Sequence, residues 1–187
     1  MCIRDSVSPL EIGKELNITL TLDNTNEPVS GSNTVSVTVN KDYNWVSLGT
    51  GTFADVLAFT EKPYNVEIQK ADGFDRYRVM KPYEQGLKND DGGWGNAVAS
   101  TSCDYIEFWI KDGIIYYNKF FIGINYDGSA SNAIYAHHPS DFAGISLANN
   151  KQLDDKTFQL APYYYIEALQ GGFDYTGEGG SILITLP

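Results

Sequence analysis

The sequence predicts an all-β fold, an antiparallel β-sandwich or partly open barrel. Three observations carry that prediction. Short segments of apolar–polar alternation recur along the 187 residues, and helical spacing never persists beyond about two turns. The stretch Asp104–Tyr126, DYIEFWIKDGIIYYNKFFIGINY, is dense in β-branched and aromatic residues, with one Asp-Gly pair and no Pro. Aromatic residues are abundant, 13 Tyr, 9 Phe and 3 Trp, within an ordinary globular balance of 42% apolar and 20% charged residues. That balance argues against disorder, and the length suffices for a core without disulfide staples.

Taken in order, residues 1–6, MCIRDS, fit no strand or helix pattern. They resemble a translated sequencing-adapter prefix, so a non-native start and a fragmentary chain are expected, with Cys2 carrying no meaning. Residues 7–40 hold two alternating segments. In Glu15–Leu22, Leu16, Ile18, Leu20 and Leu22 share one face; in Thr34–Asn40, Val35, Val37 and Val39 are expected inward. The polar run Asp23–Asn33 between them is a loop. Two strands cannot close a core alone. They read as the C-terminal strands of a truncated immunoglobulin-like domain, or else as strands borrowed by the domain after them.

Lys41-Asp42 marks the expected boundary, and residues 41–187 form the all-β domain. Tyr43–Leu48 is a strand, Gly49-Thr50-Gly51-Thr52 a turn, and Phe53–Phe59 either one short helical face or a strand. Tyr64–Lys70 points Val66 and Ile68 inward, Ala71-Asp72-Gly73 turns, and Asp75–Met80 sets Tyr77 and Val79 against Arg76 and Arg78. Glu84–Ser102 is the longest polar stretch, of a length that is functional or mobile in compact domains. In Tyr105–Ile110 the purely apolar set Ile106, Phe108 and Ile110 faces the core. Asp112-Gly113 supplies the positive φ angles of a type I′ hairpin turn. Ile114–Tyr117 returns, and Phe120–Tyr126 comes next, with Gly123 marking a bulge. Ile134–His137 is a short strand, Thr157–Leu169 a strand interrupted at Pro162, Gly171–Gly180 a turn, and Ser181–Leu186 the terminal strand.

Charge and cysteine content exclude several classes. A formal net charge of −11 repels phosphate backbones, so nucleic acid is not an expected partner. Cys2 and Cys103 form neither a disulfide framework nor a metal spacing. No apolar run reaches membrane-spanning length, and no signal peptide is evident.

Each candidate site has a plain competitor. Gly49–Ala54 matches G-x-G-x-x-A, but Pro63 leaves too little room for the helix that dinucleotide binding requires. His137 and His138 fall on opposite faces of a strand, so they share no ion and read as surface polar residues at a strand end. Asn125–Asn132 and Asp90-Asp91-Gly92-Gly93 resemble calcium loops, yet Ala136 stands where the EF-hand pattern needs Glu, and Asx-rich turns explain both. No metal site and no cofactor are expected. Glu67, Glu107, Glu167 and Asp55 could supply a carboxylate pair for glycoside cleavage, but solvated strand carboxylates are commonplace, and no catalytic residue is assigned. Trp94, in the Gly-rich acidic loop, Tyr163 and Tyr165, and Trp109 beside Glu107 are the candidate ligand-binding residues. Tyr and Trp suit surfaces apolar on one side and wet on the other, where a sugar ring can stack; the competing role is core filling, to which Tyr164 is assigned.

The run Trp45–Asp55 (WVSLGTGTFAD), then Tyr64–Lys70 (YNVEIQK) and Tyr77–Tyr83 (YRVMKPY) resembles a W-x-x-L-G-T-G-x-[YF]-x-D … V-E-I-Q-K … Y-R-[LV]-x-x-P-Y series. That series recurs in uncharacterised surface lipoproteins of Bacteroidota. Pro162-Tyr163-Tyr164-Tyr165 and Ile182–Pro187 are also similar, so the resemblance spans roughly 41–187. It implies export, an outer-surface setting through a lipid anchor that this chain lacks, and the company of glycan-uptake proteins; it implies no reaction. The expected function is therefore a non-catalytic surface module that binds carbohydrate. A structural or adhesion spacer is the alternative, and a hydrolase comes third.

Overall fold

The computed structural model describes residues 12, 15–21, 34–40, 42–57, 63–84, 103–174 and 181–187. These fall into two compact units, one ending at Asn44 and one beginning at Trp45.

In the first unit, β1 (Glu15–Thr21) and β2 (Thr34–Asn40) form an antiparallel ribbon in which Ile18 pairs with Val37. Val35 and Val37 are 58% and 45% exposed, not turned inward as the alternation predicted. A two-stranded ribbon has no second layer of its own to bury a face against.

The second unit is all-β and antiparallel throughout. Its strands are β3 (Trp45–Asp55), β4 (Tyr64–Ala71), β5 (Arg76–Met80), β6 (Tyr105–Lys111), β7 (Ile114–Tyr117) and β8 (Phe120–Asn125). They continue with β9 (Ala133–His137), β10 (Lys151–Gln152), β11 (Thr157–Leu160), β12 (Tyr163–Ile166), β13 (Gly171–Asp174) and β14 (Ile182–Thr185). An eight-stranded sheet runs β10-β11-β14-β3-β4-β5-β6-β7, and a four-stranded sheet runs β13-β12-β9-β8. Helical pieces among the described residues are single 3₁₀ turns at Tyr126–Gly128, Pro139–Asp141 and Glu167–Leu169.

The larger sheet curls until its ends approach. The Ile115 N–H donates to the Asn150 carbonyl at 3.0 Å, and the Tyr117 hydroxyl donates to Asn150 Oδ1 at 3.1 Å. That same Oδ1 accepts the Ala161 N–H, so one buried side chain stitches the seam. The inner faces of both sheets meet in a single core. Phe53, Ile68, Val79, Ile106, Phe108, Ile115, Phe158 and Ile184 come from the larger sheet; Ile122, Ile134, Tyr164 and Ile166 come from the smaller. Each such side chain contributes roughly 1.5–3 kcal/mol by leaving water.

Two predicted turns are strands. Gly49–Thr52 lies inside the eleven-residue β3, where a bulge after Ser47 places Gly49 at φ +105°. A Cβ on Gly51 would collide with the Thr185 carbonyl oxygen and stand 2.5 Å from Ile68 Cδ1, so Gly here serves close strand approach. Gly171–Asp174, expected as part of a Gly-rich turn, is β13 and pairs with β12. The Asp112-Gly113 hairpin turn has φ +53° and +77°, the type I′ signature.

Candidate functional site

Three consecutive tyrosines divide the second unit into inside and outside. Tyr164 is fully buried, while Tyr163 and Tyr165 point to the outer face of the four-stranded sheet and are half-buried. Alternation along the strand forces this split. Cross-strand register then sets Tyr163 opposite His137 and Tyr165 opposite Tyr135, with Phe121 opposite Tyr135 on the far side. The 3₁₀ turn Pro139–Asp141 delivers Phe142 over this surface. Its ring centre lies 4.6 Å from that of Tyr163, 5.2 Å from Tyr165 and 5.4 Å from His137. The Tyr163 and Tyr165 ring centres are 6.4 Å apart, tilted by 31°. Tyr163 leans over Gly172, where an added Cβ would meet its ring at 2.6 Å. At the β8 end, the Lys119 ammonium sits 4.7 Å over Tyr135 and pairs with Glu167 at 2.5 Å.

Trp109 lies elsewhere, on the outer face of the eight-stranded sheet. Arg76 stacks over it at 4.4 Å, and Tyr116 stacks beside it at 6.2 Å. Arg78 stacks on Trp45 at 3.9 Å and on Tyr105 at 4.2 Å. Glu107, opposite Arg78 in register, accepts from Arg76 Nε at 2.6 Å and Arg78 Nε at 2.8 Å. All three charged side chains are largely sheltered, at 19%, 15% and 10% exposure for Arg76, Arg78 and Glu107. The geometry brings Tyr163 and Tyr165 together and puts Trp109 on a separate sheet. Trp94 lies outside the described residues, as do Asp90 and Asp91.

The acids considered for bond cleavage are scattered. Glu107 is clamped by two guanidinium groups, Glu167 by Lys119, and Glu67 is exposed and accepts from the Gln69 amide. Lys119 holds the Glu167 carboxyl below the usual carboxylate range, chiefly through its hydrogen bond. Asp55 is fully buried in the core. It accepts from the Tyr83 hydroxyl at 2.7 Å, the Leu57 N–H at 2.9 Å and the Tyr164 hydroxyl at 3.4 Å, while Tyr164 also bonds Ser181. Burial, then the Asp55 charge, pushes both tyrosine hydroxyls far above their ordinary range. Asp55 and Tyr83 are the last residues of the first and third motif segments, so those segments meet in one buried knot. Such a knot fastens the β3 end to the smaller sheet, because a buried carboxylate without partners is very costly.

His138 departs from expectation: it is buried, not a surface residue. Its Nε2 faces the Ile115 carbonyl at 3.1 Å, its Nδ1 accepts from Ser140, and its ring stacks 4.7 Å from Tyr116. Burial lowers its pKa, and these partners suit a neutral ring. His137 takes the opposite face, with Nδ1 3.4 Å from Asp141. In the Asx-rich loop the Asp127 carboxylate accepts from Asn132 Nδ2 at 3.1 Å and the Ser129 N–H at 3.2 Å, so its oxygens shape the turn. Among the described residues no three His, Cys, Asp or Glu side chains cluster for a metal. Burial pushes the Cys103 thiol up to about 12, which keeps it protonated and unreactive.

Sequence reasoning missed Phe142, Tyr135 and Phe121. Tyr135 was accessible by alternation, since it shares a strand face with His137 two residues on; Phe142 is a lone aromatic after a Pro-Ser-Asp turn and carries no periodic signal. No family model, curated protein or solved structure matches the chain.

Proposed function

We propose that this chain is a non-catalytic, carbohydrate-binding module of an exported surface lipoprotein. The observation that carries the reading is the Tyr163–Tyr165 pair with Phe142 braced against it. Three rings in mutual contact on the outer sheet face, tilted 31° to 54° to one another, offer an apolar yet wet-edged surface, suited to the C–H face of a sugar. The rings are held by register and packing, so little ordering is needed on binding. The acids considered for hydrolysis are engaged elsewhere, and that favours binding over cleavage. Export and the outer-surface setting rest on the motif resemblance alone. The exposed Val35 and Val37 of the β1–β2 ribbon favour its reading as the closing strands of an immunoglobulin-like sandwich.

Affinity electrophoresis across a polysaccharide panel tests the proposal. At least one member is expected to retard the wild-type chain, and Tyr163→Ala/Tyr165→Ala is expected to migrate freely. Free migration of the wild type on every member would sink the reading and leave the structural spacer in its place.

A further inference from the structure

Carboxylates flank the aromatic face at two places, one beside Tyr163 and one beside His137. Asp174 is the register partner of Tyr163 on β13 and is exposed. Directly opposed residues in antiparallel strands hold their Cβ atoms about 4.5–5.5 Å apart, so the Asp174 carboxylate borders the ring. Asp141 closes the turn that delivers Phe142, is 49% exposed, and stands 3.4 Å from His137 Nδ1. The cation at the other end of the sheet, Lys119, is engaged by Glu167 and the Tyr135 ring. The aromatic face therefore has an anionic rim beside Tyr163 and His137, on a chain whose net charge is −11.

Resting on the carbohydrate reading, we infer that this face takes glycans carrying free amino groups and rejects those carrying carboxylate or sulfate. An ammonium group above a tyrosine ring is attracted by the ring quadrupole, and a neighbouring carboxylate adds a charge-assisted hydrogen bond. A uronate or sulfate would meet Asp141 and Asp174 as like charges, which costs affinity and lowers the on-rate. The chain's overall field adds a longer-ranged repulsion that salt screens.

The experiment titrates the whole chain with three oligosaccharides of equal length: β-1,4-glucosamine, its N-acetylated counterpart and galacturonate. It is run at neutral pH, where a fraction of the sugar amines is protonated, at low and high salt. The amine form is expected to bind about ten-fold more tightly than the N-acetyl form at low salt, within what a cation–π contact plus a carboxylate contact supplies. High salt should narrow that gap, and galacturonate should not bind. Asp141→Asn/Asp174→Asn should bring the amine and N-acetyl forms to near parity. Galacturonate binding as well as the N-acetyl form, or a preference that survives the double substitution, would overturn the inference. N-acetyl binding without an amine preference defeats this inference and leaves the carbohydrate reading standing. Failure of all three, together with free migration on every polysaccharide, defeats both.

Discussion

The two outer faces of the second unit are built from similar residues and differ in how far cations cover their rings; on the four-stranded sheet only the Tyr135 end, under Lys119 and Glu167, is covered among the described contacts. On the eight-stranded sheet, Trp45, Tyr105 and Trp109 each have a guanidinium group over the ring, and Glu107 binds both arginines. On the four-stranded sheet, Tyr163, Tyr165 and Phe142 contact only one another and His137 among the described ring contacts. The first face satisfies itself; on the second, the rings of Tyr163, Tyr165 and Phe142 have no cation over them among the described contacts, and the proposed binding role rests on that difference. The difference teaches that aromatic content does not mark a binding face. What marks it is whether a cation with its own anion already occupies the rings, because that arrangement has spent its cation–π and ion-pair energy within the fold.

Substitutions can break that contrast, and the largest effect is expected at its electrostatic centre. Glu107→Ala leaves two sheltered guanidinium groups side by side and should cost about 3 kcal/mol, lowering Tm by roughly 8 °C in calorimetry. A change below about 1 kcal/mol would show that the ladder is ornamental. Next, Trp109→Ala should cost about 2 kcal/mol, against about 1 kcal/mol for Tyr163→Ala, since only the tryptophan lies under a clamped cation. Equal values in denaturant titration would erase the distinction between closed and open faces. Gly172→Ala should cost about 2 kcal/mol, because the added Cβ would stand 2.5 Å from the Tyr164 carbonyl oxygen as well as 2.6 Å from the Tyr163 ring, and it should weaken glycan retardation more than that loss implies. Glu167→Ala removes the exposed partner of Lys119 and should leave the melting temperature unchanged within error, because such surface pairs are solvated and screened.

Much of the fold was legible, and the illegible parts share a cause. Period-two alternation located Tyr64–Ala71, Arg76–Met80, Tyr105–Lys111 and Ile182–Thr185, and chose the inner faces of Tyr64–Ala71 and Tyr105–Lys111, because burial on one side imposes that pattern. The Asp112-Gly113 hairpin was legible because its backbone angles demand those residues. Gly49–Thr52 misled: turn glycines and bulge glycines look alike until Thr185 and Ile68 approach from distant parts of the chain. Pro162 marked an interruption, yet nothing local says that β11 joins the larger sheet and β12 the smaller. His138 is buried by Tyr116 and Tyr117, and Asn150 seals the seam against Ile115, both through long-range contacts. The site was half legible. Tyr163 and Tyr165 stood out by composition and Tyr164 was assigned to the core, while Phe142 depended on where one turn happens to project.

Aromatic-ring NMR during titration with a retained oligosaccharide addresses the central claim most directly. Shift changes are expected at Tyr163, Tyr165 and Phe142, with Trp109, Trp45 and Tyr105 unmoved. Shifts concentrated at Trp109 and Tyr105, with the tyrosine pair silent, would contradict the assignment of the open face.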